Sequence, residues 1–272
     1  MSIKSLLSIV ELKSFMNEYQ ITFFVDDPAA NSHVAQPLTR LAKKFKSNIR
    51  IINITQNRTA DLSKSVAMLQ VGLLRGDLCQ ITAVGIDAEL ACFVLKDVIA
   101  EHYAMVGSQV NHEFSSDLIQ RMPQICPPCD IKWHHAKAQT QLTKFECLKG
   151  LAHLVYPEDP DELILAFIKR EERSSTCVSP GIALPHVMFE STQDLSIAVI
   201  VSDEAIDWAS QIGEVHVAIA LVLPTKPQRE HIVAATNLTR NLLHDQVNER
   251  LQKTRSSVDL QALLMYISSR LL

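Results

Sequence analysis

Residues 170–186 read R-E-E-R-S-S-T-C-V-S-P-G-I-A-L-P-H and form the most informative stretch of the chain. Arg170 is followed by a hydroxyl-rich turn, and a short apolar segment then leads to Pro185 and His186. A histidine behind a buried segment and a proline is rigidly aimed, and a neutral imidazole nitrogen can be a nucleophile at neutral pH. The arginine can balance the charge of an incoming phosphate with directed hydrogen bonds. The stretch therefore predicts a reactive histidine beside a cation, and a satisfied structural histidine is the alternative interpretation.

The sequence around this stretch alternates between helical and strand-like patterns. Pro160–Arg170 (PDELILAFIKR) has helical spacing and an acidic first turn, as the helix dipole favours. The alternation predicts an α/β sandwich with a central mixed sheet over residues 141–272. The other predicted elements are strands at 195–201 and 215–223, and helices from about residue 143, at 230–243 and at 258–271.

The N-terminal part of the chain shows a second set of alternating elements. A strand at 21–25 (ITFFV) opens the order β-α-β-(β)-α-β-α, in which the bracketed strand is weak, and residues 21–103 are predicted to form one domain. Residues 1–20 are expected to be a helical extension, because residues 5–19 carry apolar side chains at near-helical spacing. Residues 104–140 contain three prolines and polar clusters, so they are predicted to be an inter-domain linker with a short helix near 116–121.

The composition limits the class of protein. A length of 272 residues suggests two domains at ~150 residues each. Hydrophobic residues make up 47% of the chain and charged residues 21%, as in soluble globular proteins. The net charge of −4 gives no electrostatic case for nucleic acid as a partner. No apolar run approaches the ~20 residues of a membrane span, and the N-terminus does not have the pattern of a signal peptide, so the sequence predicts a cytoplasmic protein with reduced cysteines.

The positions of the glycines and cysteines indicate whether the chain has a nucleotide-binding loop or a zinc site. None of the seven glycines is followed by Lys-Ser/Thr or spaced as G-x-G, so a P-loop and a dinucleotide fingerprint are excluded and no nucleotide cofactor is expected. Cys126 and Cys129, with His134 and His135 nearby, supply four potential zinc ligands. The spacing between the two pairs is shorter than structural zinc sites use, and no second C-x-x-C exists. Reduced thiols are the expectation, while a redox pair and a zinc site stay open.

The stretch 170–186 resembles the mannitol/fructose-type IIA component of the bacterial phosphoenolpyruvate:sugar phosphotransferase system. That family carries R-E-x-x-x-S-T-G-I-G-x-G-I-A-I-P-H. The resemblance continues with I-D-W at 206–208, with G-E-V at 213–215 and with P-T-K-P-Q-R-E-H at 224–231. The residues shared with the first pattern are Arg170, Glu171, Ser175, Thr176, Gly181, Ile182, Ala183, Pro185 and His186.

This resemblance implies roles for three residues. His186 would accept the phosphoryl group, His231 would be the second active-site histidine, and Arg170 would be the phosphate-stabilising cation. Such a transfer needs positioning and charge stabilisation more than elaborate covalent machinery. One departure is that residues 177–180 read C-V-S-P where the family has G-I-G-x, so a stiffer approach loop is expected.

The N-terminal block resembles the histidine-containing phosphocarrier protein HPr, whose β-α-β-β-α-β-α order implies an open-faced β-sandwich. That family carries G-L-H-A-R-P-A before its first helix, and A-x-x-F-x-S-x-I at the end of it. Residues 42–49 read A-K-K-F-K-S-N-I, and this register places the acceptor histidine's position at Asn31, the arginine's at His33 and the proline's at Val34. Because an amide cannot accept a phosphoryl group as imidazole does, the domain is predicted to dock or regulate rather than carry phosphate.

Three further features of this domain can be interpreted from the sequence. His33 is either a displaced acceptor or an exposed loop histidine. Lys64-Ser65 is similar to the family's regulatory Lys-Ser pair, but the spacing to Gly72 is one residue short, which does not favour a regulatory serine. A basic cluster is interpreted as a solvated face, with an acidic protein partner as the alternative; its members are Arg40, Lys43, Lys44, Lys46 and Arg50.

The sequence therefore predicts a phosphotransferase with a phosphohistidine intermediate, no cofactor and no metal. A separate phospho-HPr, itself charged by enzyme I, would phosphorylate His186, and a IIB component would accept the phosphoryl group for sugar uptake. The first alternative is a regulatory protein that signals through the phosphorylation state of His186. The second is an interaction scaffold in which this histidine is inert.

Overall fold

The computed structural model describes residues 18–108, 125–254 and 257–270. The chain divides into two compact units, residues 1–124 and 125–272, and each is described here by itself. The predicted helix at 116–121 and all but the last residues of the predicted N-terminal helix lie outside the described residues.

The first unit is built on a five-stranded antiparallel sheet. Its elements are β1 (Glu18–Phe24), a 3-10 turn (Pro28–Ala30), α1 (Asn31–Ala42), β2 (Asn48–Asn53), β3 (Arg58–Asp61), α2 (Ala67–Val71), β4 (Leu78–Val84), α3 (Ala88–His102) and β5 (Ala104–Ser108). The strands lie in the order β3-β2-β4-β1-β5.

The apolar alternation of the strands explains how helices cover one face of this sheet. Ile21 and Phe23 of β1 and Ile81 of β4 point to the same face, and they share a buried cluster with Leu38 of α1 and Leu95 of α3. This arrangement is an open-faced sandwich, so the predicted fold class is confirmed for the first unit. The weak bracketed strand of the sequence pattern is β3, a short edge strand.

The second unit contains a six-stranded mixed sheet. The elements of this unit are β6 (Ile131–Lys137), α4 (Lys144–Val155), α5 (Asp161–Arg173), β7 (Cys177–Ser179), β8 (Gly181–Ala183), β9 (His186–Phe189), β10 (Leu195–Ile206), β11 (Val215–Pro224), α6 (Arg229–Asn241), α7 (Asp245–Lys253) and α8 (Ser257–Ser269). The strands lie in the order β6-β10-β11-β8-β7, and β9 also pairs with β11.

Strands β10 and β11 form the centre of this sheet. They pair antiparallel, while β6 pairs parallel with β10, and β8 and β9 pair parallel with β11. Both central strands are buried at nearly every position, as expected when both faces of a sheet are covered. The predicted α/β sandwich with a central mixed sheet is therefore confirmed.

The predicted linker at 104–140 is wrong at both of its ends. Its first residues form β5, which pairs with β1, and residues 131–137 form β6, which pairs with β10. Both are edge strands, and most positions of β6 are only partly buried. An edge strand with one covered face can carry polar residues, so composition alone did not separate these strands from the proline-rich segment between them.

Within the described ranges, no helix has both the length and the apolar character that crossing a membrane requires.

Two leucines of the first unit provide a matched test of its core. Leu38 is fully buried, whereas Leu69 is 82% exposed. We expect Leu38→Ala to lower the free energy of unfolding by ~2–5 kcal/mol, because it removes buried methyl groups and leaves a cavity. Leu69→Ala should change it by less than ~0.5 kcal/mol. Urea denaturation of the full chain, followed by circular dichroism, measures both; equal effects would contradict the assigned core.

Candidate active site

Arg170 and His186 lie in direct contact, although 16 positions separate them. Arg170 is in the last turn of α5, and His186 is the first residue of β9. The Nε of Arg170 donates to Nε2 of His186 at 3.2 Å. Its Nη1 donates to the carbonyl oxygen and to Oγ of Ser174, at 3.1 and 3.2 Å. The guanidinium is thus held between the turn after α5 and the imidazole.

The hydrogen bonds of His186 determine which ring nitrogen carries the proton. Nδ1 lies 2.9 Å from the carbonyl oxygen of Leu184. A carbonyl oxygen can only accept, so Nδ1 is the protonated nitrogen of this pair. Nε2 then has a lone pair, which agrees with its role as acceptor for Arg170. Since the side chain is half-buried rather than enclosed, this lone pair is the available nucleophile.

The backbone around Pro185 is fixed by strand pairing on both sides. Strand β8 ends at Ala183 and β9 begins at His186, and both pair with β11. Leu221 of β11 donates its backbone N–H to the carbonyl oxygen of Pro185 at 2.9 Å. The short break between β8 and β9 therefore retains one inter-strand hydrogen bond to β11. The rigid presentation that the sequence predicts for His186 therefore comes from the sheet.

A buried polar network supports the turn that Arg170 contacts. Glu171, with its side chain 6% exposed, accepts hydrogen bonds from the backbone N–H and the hydroxyl of Thr176, the latter at 2.6 Å. The indole of Trp208 donates to the same hydroxyl at 3.3 Å. Lys144 forms an ion pair with Glu171 at 3.6 Å and donates to the carbonyl oxygen of Trp208. These bonds tie α4, α5 and the turn together beneath Arg170.

His231 lies in the first turn of α6, and its side chain is 6% exposed. The backbone N–H of Gln228 donates to Nδ1 at 3.3 Å, so in the neutral ring Nε2 carries the hydrogen and can donate. Helix α6 follows β11, the strand that pairs with β9. Within the described residues no hydrogen bond joins the imidazoles of His186 and His231. The structure therefore brings Arg170 into contact with His186, whereas His231 lies on α6, with no direct bond to either residue in the described ranges.

The segment that departs from the IIA pattern is structured. Residues 177–179 form β7, which pairs antiparallel with β8. Gly181 has φ +86°, a left-handed conformation that favours glycine. Gln252 of α7 donates its side-chain amide to the carbonyl oxygen of Pro180 at 2.9 Å. The hairpin and this bond agree with the stiffer loop expected where both glycines are missing.

Asn31, which the register of the sequence assigns to the position of the HPr acceptor, is engaged in hydrogen bonds. Its Nδ2 donates to the carbonyl oxygen of Leu73 at 3.0 Å, and its Oδ1 accepts from the hydroxyl of Tyr103 at 2.5 Å. Burial raises the pKa of Tyr103 far above its ordinary value, so the phenol stays protonated and donates. His33, two residues later on α1, is exposed. The sequence offered no signal for Tyr103, which reaches Asn31 only through the fold.

Cys126 and Cys129 are free, partly buried thiols. Burial raises the pKa of Cys126, and burial with the nearby carboxylates of Asp130, Glu230 and Asp194 raises the pKa of Cys129 to about 11. Burial also lowers the pKa of His134 and His135. In the described part of the chain, no three His, Cys, Asp or Glu side chains are grouped as metal ligands would be. Since thiols with raised pKa values are mostly protonated, they are weak nucleophiles and weak metal ligands.

Two family models match the chain, one in each unit. Residues 135–266 match EIIA 2 of the phosphoenolpyruvate-dependent sugar phosphotransferase system. Residues 30–101 match the phosphorylation-site model of the HPr component of the same system. Both units are thus of the class that transfers phosphoryl groups in this system. The chain is an HPr-like domain joined to a mannitol/fructose-type IIA domain, and the resemblance found in the sequence is confirmed.

Individual relatives cover parts of the chain. The multiphosphoryl transfer protein of Shigella flexneri is 29% identical over 39% of this chain, which corresponds to 13% of that protein's length. The fructose-specific EIIA component of Haloferax volcanii is 27% identical over 39% of this chain and 70% of its own length. The structure of the nitrogen regulatory protein IIA-Ntr from Neisseria meningitidis aligns with a TM-score of 0.44 and 19% identity, over 53% of this chain and 98% of that one.

The tautomers of His186 and His231 can be measured by NMR. At about pH 8, where histidine rings are ordinarily neutral, we expect the hydrogen on Nδ1 of His186 and on Nε2 of His231, because Leu184 and Gln228 fix opposite tautomers. Nitrogen-15 shifts of the two rings report this, with His186→Ala and His231→Ala providing the assignment. The same tautomer in both rings would contradict the geometry.

The structural role of Asn31 can be tested against its exposed neighbour His33. Asn31→Ala removes two partly buried hydrogen bonds, so we expect the free energy of unfolding to fall by ~1–3 kcal/mol. His33→Ala should change it by less than ~0.5 kcal/mol. Urea denaturation of both variants makes the comparison; an Asn31→Ala variant as stable as the unmodified protein would show that the site is not built around the amide.

Proposed function

We propose that the IIA domain accepts a phosphoryl group from phospho-HPr on Nε2 of His186 and passes it to a IIB component. The observation that carries the proposal is the pair of hydrogen bonds that leaves the lone pair on Nε2 and places the Arg170 guanidinium beside it. The families that match the two units belong to one phosphotransferase system, and the overall activity of that system is phosphoryl transfer. The acceptor atom, the donor and the recipient are the parts proposed here, with the transfer taking place in the cytoplasm.

The chemistry needs no cofactor. The Nε2 lone pair of His186 attacks phosphorus in line, the P–N bond to the donor imidazole breaks, and the donor nitrogen leaves with the bonding electron pair. The positive charge that develops on the His186 ring is stabilised by the Leu184 carbonyl oxygen, which keeps its hydrogen bond to Nδ1–H. Attack of a IIB nucleophile on the same phosphorus then restores the neutral ring.

Two cationic or donor groups would stabilise the transferring group. When Nε2 attacks, Arg170 loses its acceptor and its N–H groups become available to the phosphoryl oxygens. The Nε2–H of His231 is the second donor, since its Nδ1 is already occupied. Directed donors of this kind act without reorganisation during the reaction.

The HPr-like domain is proposed to serve docking or regulation rather than transfer. Its acceptor position holds an amide whose oxygen and nitrogen both have protein partners. An amide nitrogen lacks the nucleophilic lone pair of imidazole. The phospho-HPr that feeds His186 would then be a separate protein.

Labelled phosphoenolpyruvate, enzyme I and HPr together test this proposal. We expect the full chain to take up label, His186→Ala to lose it and His33→Ala to keep it. Arg170→Gln and His231→Ala should slow uptake by about 10²-fold, because each removes one stabilising donor. The rate of label uptake is the measurement, and circular dichroism confirms that each variant is folded.

The possible outcomes separate the candidate functions. Label that a IIB component removes supports the transfer chain, whereas stable label that no IIB component removes favours a regulatory protein. An unlabelled wild type would leave an interaction scaffold. Label lost with His33→Ala would show that the displaced histidine is the acceptor and that the assignment of Asn31 to its position is wrong.

A further inference from the structure

The HPr-like unit has an exposed apolar patch at the start of α3, formed by Ile86, Leu90 and Phe93. These side chains are 85%, 58% and 52% exposed, and they recur at the i, i+4 and i+7 positions of one helix face. Together with Asp87 and Glu89 they line a surface pocket of about 440 Å³. Single exposed apolar residues are ordinary, whereas a contiguous group that lines a concave surface is typical of a binding site.

The chain enters the first unit beside this α3 patch. Glu18, the first described residue, pairs with Val84 at the end of β4, and Ile86 follows Val84 by only two positions. The next residue, Tyr19, donates its hydroxyl to Oε2 of Glu89 at 3.2 Å, so the start of β1 is tied to the first turn of α3. The residues that precede β1 therefore continue from a point next to the patch.

The segment 1–17, which lies outside the described residues, has a sequence suited to such a surface. Ile9, Leu12 and Met16 recur at the i, i+3 and i+7 positions, within the apolar pattern that predicts a helix. A helix of this length is only marginally stable by itself in water, and most helical stability in proteins comes from packing of the apolar face. A helix in this segment therefore needs an apolar surface to pack against.

The length and the charge of the segment match the α3 patch. A helix rises ~1.5 Å per residue, so the segment can extend over ~25 Å, whereas the interval from Ile86 to Phe93 spans only ~10 Å. The charged residues of the segment are Lys4, Glu11 and Lys13, which give it a net positive charge. The wall of the pocket has two carboxylates. The segment thus offers an apolar face and an opposite net charge.

We propose that segment 1–17 folds back as an amphipathic helix and packs Ile9, Leu12 and Met16 against the α3 patch. Each surface buries apolar area that the other leaves in water. The contact is intramolecular, and the attachment at Glu18 gives the segment a high effective concentration at the patch. The segment is then a structural part of the HPr-like unit. This inference does not depend on the proposed transfer reaction.

Hydrogen exchange of the full chain, measured by mass spectrometry, tests the contact. We expect the amides of residues 9–16 to exchange at least ~10-fold more slowly than in a free peptide of the same sequence, because an isolated short helix gives little protection. Leu90→Ser with Phe93→Ser should remove this protection. The matched control, Leu69→Ser with Leu74→Ser, changes two other exposed leucines of the same unit and should leave the exchange rates within about twofold.

Methyl NMR of the full chain tests the position of the segment. We expect nuclear Overhauser effects between the methyl groups of Ile9 or Leu12 and those of Ile86 or Leu90. Leu12→Ser with Met16→Ser should remove both these effects and the slow exchange, since it alters the other side of the same contact. The amides of β4 should keep their exchange rates in every variant, which shows that the unit stays folded.

Four results would overturn the proposal. Fast exchange throughout residues 9–16 of the unmodified chain would show that the segment is not docked. Protection that survives Leu90→Ser with Phe93→Ser would show that it docks elsewhere, and equal loss in the control variant would show that the patch is not a specific site. Protection that falls on dilution, together with a dimer that the patch variant dissociates, would identify a second copy of the chain as the occupant.

Discussion

Strand β11 determines where His186 of the second unit can lie. One of its edges pairs with β10, and the other carries β8 and then β9 in a single parallel line that is interrupted only at Leu184 and Pro185. The N–H of Leu221 bridges that interruption by binding the carbonyl oxygen of Pro185. His186 therefore pairs with Leu221 of a largely buried central strand, while its own side chain is half-buried. The carbonyl oxygen of Leu184, which lies between the two paired segments, receives Nδ1–H, so the lone pair is on Nε2, beside Arg170.

The rest of the site is arranged around this fixed ring. Arg170 reaches it from the end of α5, and the turn that follows α5 is anchored from below by Glu171, Thr176 and Trp208. A buried carboxylate is costly unless it is paired and hydrogen-bonded, and Glu171 is both. The network thus holds the Arg170 side chain in a defined position. Such preorganisation is what the proposed phosphoryl transfer would require.

The two domains use equivalent positions in different ways. In the IIA domain the imidazole at the expected acceptor position keeps a lone pair on Nε2, which accepts a hydrogen bond from Arg170. In the HPr-like domain the residue at that position, Asn31, bonds to Leu73 and Tyr103 and contributes to the packing between β1, α1 and α3 through a tyrosine that also stacks on Phe23. The fold of such a domain does not require a histidine at this position, because it depends on the buried apolar alternation of its strands and helices.

The sequence alone determined the class of both folds, the order of their main elements and the pairing of Arg170 with His186. Each of these depends on short-range patterns: apolar periodicity, an acidic first turn, and a motif in which arginine, proline and histidine keep fixed spacing. It did not determine β5 and β6, since partly buried edge strands carry polar residues that resemble a linker. Only the three-dimensional structure decided the tautomers of His186 and His231 and the partners of Asn31. The tautomers depend on the backbone conformation that places a carbonyl oxygen or an N–H against each ring, and the partners of Asn31 lie far along the chain. A local pattern of side chains contains no information about either.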